Sequence, residues 1–359
     1  MKDFTREFPL LTQYTYLNTA SSGLLSESLM YWRQEHDMDF LIKGSLFRDA
    51  HHTFLKGVRK DLGIFFGCAP ERIALLPNFS FGYNTLLKGL GTDKKILLLE
   101  DDYPSVSWPV ATGGFSVCYA SIDENLESTI EEKVIAEKPD VLALSLVQYI
   151  NGIKVNLDFL KNLKKKFPEL LIVADGTQYC GTEPFHFEDS GIDVLGASGY
   201  KWLLAGYGNG FMFFRKGVLP LLYSHTYAMR SANTGYSEEQ AHLINHFEPG
   251  HQDTLSFGSL QFSLRFLDRL GKETIQDHVD TLSALVFEKL SQKGFLEAFV
   301  VNRKEKHSSI FNIKGDQALY NKLRSHNILT SMRGSGIRIS FHMYNTEKDI
   351  KKLLKVLGI

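Results

Sequence analysis

The sequence predicts an α/β fold, with a large domain on a mainly parallel sheet followed by a smaller α+β domain. Three observations carry that prediction. Through the first two-thirds of the chain, short runs of β-forming residues alternate with helical patterns, the mark of a sheet flanked by helices. Several of these runs are apolar throughout, as expected where helices cover both faces of a sheet. After about Pro249 the pattern shifts to long three- and four-residue periodicities. The length of 359 residues also exceeds what one simple core organises. The expected division is an N-terminal segment over 1–15 packing on the small domain, a large domain over 16–249 and a small one over 250–359.

In order along the chain, the strands expected are Arg72–Pro77, Lys95–Leu99, Val141–Val147, Leu170–Asp175, Val194–Ala197 and Gly210–Arg215. Helical stretches lie between them at Phe81–Leu90, Thr129–Glu137 and Leu157–Lys166. In the tail, Phe257, Leu260, Leu264 and Leu267 mark one amphipathic helix, and Ile275, Val279, Leu282 and Val286 a second. A strand at Ser309–Ile313, a helix near Ala318–Ser325 and a strand at Ile337–His342 follow. A last helix opens at Thr346, with Asp349 three residues on as a near-match to a capping box. No internal repeat, low-complexity tract or Pro/Ser-rich linker separates the two domains, so close packing between them is expected.

Composition narrows the function classes. A formal net charge of −1 and a near-neutral pI supply no general attraction to nucleic acid or anionic membrane. Any anion must therefore be caught by a local site. Cys68, Cys118 and Cys180 are scattered and odd in number, which argues against a disulfide framework or a zinc site. The first residues interleave charge with apolar side chains, unlike a signal peptide, and no apolar run approaches the about 20 residues that span a bilayer. A cytoplasmic address is the expectation. His242 and His246 are spaced for one helix face, but the HExxH glutamate is missing, so no metal is assigned. The basic run Lys161–Lys166 reads as a solvated helix face.

The informative stretch is residues 170–217. One apolar strand ends in Asp175 and is followed by a Gly-Thr-Gln turn; the next ends in Ser-Gly-Tyr-Lys. Ligands of open α/β sheets bind beyond the carboxyl ends of strands, which places Asp175 and Lys201 on the binding edge. A carboxylate at one strand end and an amine past its neighbour meet the needs of pyridoxal 5′-phosphate (PLP). That cofactor requires an amine for a Schiff base and an acid to keep its pyridine nitrogen protonated. At ~4 Å and an effective dielectric near 20, such an ion pair contributes about 4 kcal/mol before desolvation. Each residue also has an ordinary reading: Asp175 as a turn residue, Lys201 as a solvated side chain. Gly206-Tyr-Gly-Asn-Gly210 imitates a dinucleotide loop but leads into a strand rather than a helix.

Together, Asp-Gly-Thr-Gln178 and Ser198-Gly-Tyr-Lys201-Trp-Leu resemble the cofactor signature of class V aminotransferases, the fold-type-I PLP group. That group includes cysteine desulfurases, isopenicillin-N-epimerase-like proteins and kynureninases. The resemblance runs from Tyr16-Leu-Asn-Thr-Ala-Ser-Ser-Gly23 to Arg338-Ile-Ser-Phe-His-Met-Tyr-Asn-Thr346. It implies a seven-stranded-type sheet in a PLP-binding large domain, and a homodimer with the site at its interface. It implies that Lys201 carries PLP as a Schiff base, that Asp175 pairs with the pyridine nitrogen, and that Gln178 bonds the phenolic oxygen. Ser198 and Tyr200 would be phosphate ligands, joined by Phe79 and Ser80 in the turn after Asn78. A strand, a turn and a Ser-capped helix also form an anion site on physical grounds, although Ser80 is equally a plain N-cap. Tyr103 would stack on the ring, though an aromatic before proline also serves as core packing. Arg338 would grip the substrate α-carboxylate with its planar fork, with Arg333 as a second arginine nearby; the ordinary reading is a surface arginine.

The sequence departs from the desulfurase pattern at three places. Only Gly334-Ser-Gly-Ile337 separates the two arginines, with no nucleophilic cysteine, and Cys180 lies in another segment. His251 stands where the family has a threonine that reaches the partner's phosphate, and Tyr200 where desulfurases have histidine. The expected activity is therefore aminotransferase or epimerase-like chemistry at the Cα of a small amino-acid substrate. The alternatives are a desulfurase or selenocysteine-lyase type of lyase without the loop cysteine, and a catalytically silent PLP-binding paralogue.

Overall fold

The computed structural model describes residues 3–224 and 238–359. Its centre is a seven-stranded sheet of order β2-β8-β7-β6-β5-β3-β4. The strands are β2 (Ile73–Leu76), β3 (Lys95–Leu99), β4 (Ser116–Ala120), β5 (Val141–Ser145), β6 (Leu171–Asp175), β7 (Val194–Ser198) and β8 (Gly210–Phe214). Five of them, β7-β6-β5-β3-β4, are mutually parallel, and β8 runs antiparallel to both its neighbours. Alternation along the strands feeds two cores. Ile73, Leu97, Leu144, Ile172 and Phe211 face one side, whereas Leu76, Leu98, Ala143, Val173 and Met212 face the other.

The expected strands stand within a residue or two of their observed ends. The sequence reading lacks β4, an outer strand whose Ser116 and Tyr119 are exposed, because a half-solvated edge needs no continuous apolar run. It also lacks α1 (Glu27–Lys43), α2 (Ser45–Asp49), α3 (His51–Phe66) and α5 (Pro104–Thr112). Between α3 and α5 comes α4 (Phe79–Leu90), and α6 (Leu126–Glu137) and α7 (Leu157–Lys166) follow. The N-cap of α4 corrects the expectation of a serine cap. Asn78 is extended and its side-chain oxygen accepts the Phe81 N–H at 2.9 Å, so Ser80 lies inside the first turn.

The tail forms a three-stranded antiparallel sheet, β11 (Ser331–Arg333), β12 (Gly336–Ser340) and β9 (Ile310–Lys314). Against it lie the helices Lys272–Gln292, Gln317–Ser325 and Glu347–Leu357. The last helix carries a full capping box, with the Asp349 carboxylate accepting the Thr346 N–H at 2.8 Å. The helix Thr254–Leu270 lies on α1 and α3. The N-terminal segment reaches the tail: β1 (Thr15–Tyr16) pairs with β10 (Ile328–Leu329), and the Phe8 ring meets Tyr344 at 5.3 Å. Among the described residues no helix is long and apolar enough to cross a membrane.

Candidate active site

The carboxyl ends of β2, β3, β5, β6 and β7 open on one edge of the sheet, and the candidate residues follow those ends. Asp175 closes β6, buried, with one carboxylate oxygen accepting the Thr177 N–H at 2.8 Å. Burial raises its pKa above the ordinary carboxylate range; the Thr177 bonds and the charge of Lys201 oppose this. Lys201 stands three residues beyond β7. The turn between them is tight: a Cβ on Gly199 would lie 2.1 Å from Asn209 Oδ1. The lysine is 5% exposed, and among the described residues its ammonium has neither hydrogen-bond partner nor ion pair. Its nitrogen lies 5.5 Å from the centre of the Tyr103 ring and 5.6 Å from that of Tyr200. Burial pushes it down to about 8; Asp175 opposes this, and Arg338 and Arg333 add to it.

The other predicted residues distribute around this pair. Ser198 Oγ accepts the Phe79 N–H at 2.9 Å, joining the end of β7 to the start of α4, and Ser80 Oγ donates to Ser105 Oγ at 2.8 Å. Gln178 is held at both ends of its amide: Oε1 accepts the Trp202 indole N–H at 2.8 Å, and Nε2 donates to the Ala20 oxygen at 3.0 Å. The Tyr103 ring meets Tyr149 edge-on at 5.1 Å, and Tyr200 stacks on Tyr207 at 4.9 Å. Arg338, in the middle of β12, is buried and donates to the Tyr149 oxygen at 2.7 Å and to Ser21 Oγ at 2.6 Å. Among the described residues its Nε is buried without a partner, and burial, then Arg333, lowers its pKa to about 10. Arg333 is exposed on the β11–β12 hairpin, and its side chain bonds only the Met332 oxygen among the described residues. Its charge nonetheless acts on both Lys201 and Arg338.

Sequence reasoning missed Asp102, Ser21 and Tyr149. Asp102 is a second buried carboxylate, accepting N–H bonds from Ser145 at 2.8 Å and Tyr103 at 2.6 Å. It ties the Tyr103 loop to the end of β5. The acidic triplet Glu100-Asp-Asp directly after a strand was its available signal. His242, considered for metal, gives its Nε2 to the Leu222 oxygen at 3.0 Å.

The site therefore brings together a buried acid, a buried amine under its charge and two aromatic rings near that amine. The buried amine of Lys201, left without a protein partner, and the partnerless Nε of Arg338 fit PLP and an amino acid carboxylate respectively.

Comparison with known proteins places this geometry. The family model for aminotransferase class-V matches residues 48–353. The uncharacterized aminotransferase YcbU of Bacillus subtilis is 23% identical, over 98% of this chain and 95% of the relative. Isopenicillin N epimerase of Amycolatopsis lactamdurans is 24% identical, over 83% of each. Among solved structures, the apo cysteine desulfurase of Thermococcus onnurineus NA1 superposes with a TM-score of 0.84 at 19% identity, covering 99% of this chain and 98% of that one. The cystine C-S lyase C-DES, in complex with cysteine persulfide, gives 0.85 at 19% identity, over 98% and 99%. The chain has the fold of type I PLP enzymes, and it belongs to the aminotransferase class-V family of PLP-dependent enzymes.

Proposed function

We propose that the protein catalyses proton transfer at the Cα of an amino acid, as an aminotransferase or epimerase. The observation that carries this reading is the buried amine of Lys201, without a partner among the described residues, under the charge of Asp175 and 5.5 and 5.6 Å from the Tyr103 and Tyr200 rings. Held there, PLP supplies an electron sink that acidifies Cα. Asp175 keeps a proton on the pyridine nitrogen. The lowered basicity of Lys201 would leave a neutral amine fraction near pH 8, able to hold PLP through its aldehyde carbon and, once the substrate's amine has replaced it there, to take the Cα proton as a general base. The β7 turn and the first turn of α4, with Ser198, Tyr200, Phe79 and Ser80, hold the phosphate; Gln178 faces the phenolic oxygen. Arg338 uses its unspent Nε, with Nη2 released from Ser21, as a bidentate fork for the α-carboxylate.

Persulfide chemistry by a loop thiol has no support. The turn between β11 and β12 is Gly334-Ser335, and burial pushes the Cys180 thiol far from thiolate formation. Borohydride treatment of the PLP-loaded protein is expected to fix the cofactor on Lys201, as read by peptide mass. The protein should then exchange the Cα proton of an amino acid in D2O, read by NMR. An adduct that persists in Lys201→Ala ends the assignment; a correct adduct without exchange of any amino acid favours the silent paralogue.

The reading includes a homodimer. Phe40, Leu41 and Ile42 of α1 and Leu46 of α2 are all more than half exposed, large apolar side chains of the kind a second copy covers. Sedimentation equilibrium should give twice the chain mass, and Leu41→Asp with Ile42→Asp should shift it to the monomer.

A further inference from the structure

A groove of about 530 Å³ opens beside the candidate site. Its inner wall is Tyr149, whose backbone oxygen holds Arg338 and whose ring meets Tyr103. The lining continues outward past Ile150 to Trp108 on α5 and Tyr119 on β4, aromatic side chains left 68% and 40% exposed. The acidic residues of the lining are Asp101 and Asp102, and no lysine, arginine or histidine belongs to it. The Asp102 carboxylate is already bonded to Ser145 and Tyr103. Asp101 differs. It is exposed, its carboxylate has no partner among the described residues, and its backbone adopts φ of 56°, a left-handed conformation uncommon outside glycine.

A solvent-facing indole, a phenol and an uncommitted carboxylate along one groove form a receptor for a cation. The aromatic faces attract it through their quadrupoles and the carboxylate through its charge. A neutral side chain would gain only the apolar contact, and an anionic one would meet like charge. We propose that this groove receives the distal end of the substrate, which is an amino acid with a long side chain ending in a cationic group. The inference rests on the proposed role of Arg338, which fixes where the α-carboxylate sits and so directs the side chain past Tyr149.

The test compares arginine with citrulline, a near-isostere that lacks the charge, on the PLP-loaded enzyme. Two readouts are taken: the concentration that half-saturates the cofactor's spectral shift, and quenching of the Trp108 emission isolated by difference from Trp108→Phe. Arginine should half-saturate at about a tenfold lower concentration than citrulline and should quench Trp108. Asp101→Asn and Trp108→Ala should each pull that ratio toward one. Equal half-saturation by arginine, citrulline and glutamate overturns the inference, as does a ratio that survives both substitutions. A preference for phenylalanine over arginine also overturns it, since the groove then selects apolar area. If no amino acid shifts the spectrum, the reading of Lys201 and Arg338 itself has failed.

Discussion

Burial governs the chemistry of Lys201 more than any neighbour does. The amine is removed from water without a counter-ion in contact, which disfavours its charged form; the more distant Asp175 charge only moderates that effect. A folded value near 8 against an ordinary 10.5 means that the folded protein binds fewer protons between those two pH values. Folding stability should therefore gain as pH rises from about 8 toward 10.5, where only the unfolded chain gives up the proton. Capture of PLP by the apoprotein should follow the neutral amine, with a rate that inflects around pH 8 and levels off above it. Asp175→Asn removes the charge that holds the amine up, so the inflection should move to lower pH. Colour development across about pH 6 to 10 measures both effects, and an inflection near the ordinary lysine value would sink the account. Lys201 and Asp175 were legible in the sequence because each follows directly on an apolar strand. Ser21 and Tyr149 were not, since they reach Arg338 from 317 and 189 residues away.

At the level of elements, the segment after β1 is laid across the lysine turn. The Gly23 N–H donates to the Tyr200 oxygen at 2.8 Å, and a Cβ there would stand 2.1 Å from the Lys201 oxygen and 2.7 Å from a Leu204 methyl. Only a residue without a side chain lets two backbones approach so closely. Gly23→Ala should cost about 1–3 kcal/mol in urea unfolding and should also lower PLP retention on dialysis, because the displaced backbone carries Lys201. Retention equal to wild type would show that the contact is structural only. The helices that escaped sequence reading do not share one cause, since α3 buries Leu55, Val58, Leu62 and Phe66 at helical spacing. In α1 only Leu29 is buried, so its face toward the protein leaves a weak periodic signal. By contrast α7, with Leu160 and Leu163 buried behind a lysine-rich face, was read with its observed ends.

Across the whole molecule, a buried ion pair locks the outer helices to the sheet. Arg59 of α3 pairs with Glu248, both almost fully buried, and its Nε donates to the Ile73 oxygen. The other Glu248 oxygen accepts the Leu75 N–H at 2.8 Å. Edge strand β2, α3 and the segment entering Thr254–Leu270 thus share one polar knot. Arg59→Met leaves an unpaired buried carboxylate and should cost about 3–5 kcal/mol. The double variant Arg59→Met/Glu248→Gln, which keeps an acceptor for Leu75 without the charge, should recover most of that loss in denaturant midpoint. Equal losses in the single and double variants would show that packing, rather than charge, dominates the site.

The sequence by itself determined the α/β class, most strands of the large sheet and the amphipathic helices of the tail, and it placed Asp175 and Lys201 at neighbouring strand ends. All of these rest on local periodicity and on residues adjacent to strand ends, which a linear reading can see. Only the tertiary structure decided that Asn78 rather than Ser80 caps α4, that Asp102 is buried beside Asp175, and that Arg338 sits between Tyr149 and Ser21. It also decided that Trp108 and Asp101 line one groove with the Tyr149 that holds that arginine. Those facts depend on contacts between segments far apart in the chain, whose closure follows from how the whole core packs and leaves no short-range pattern.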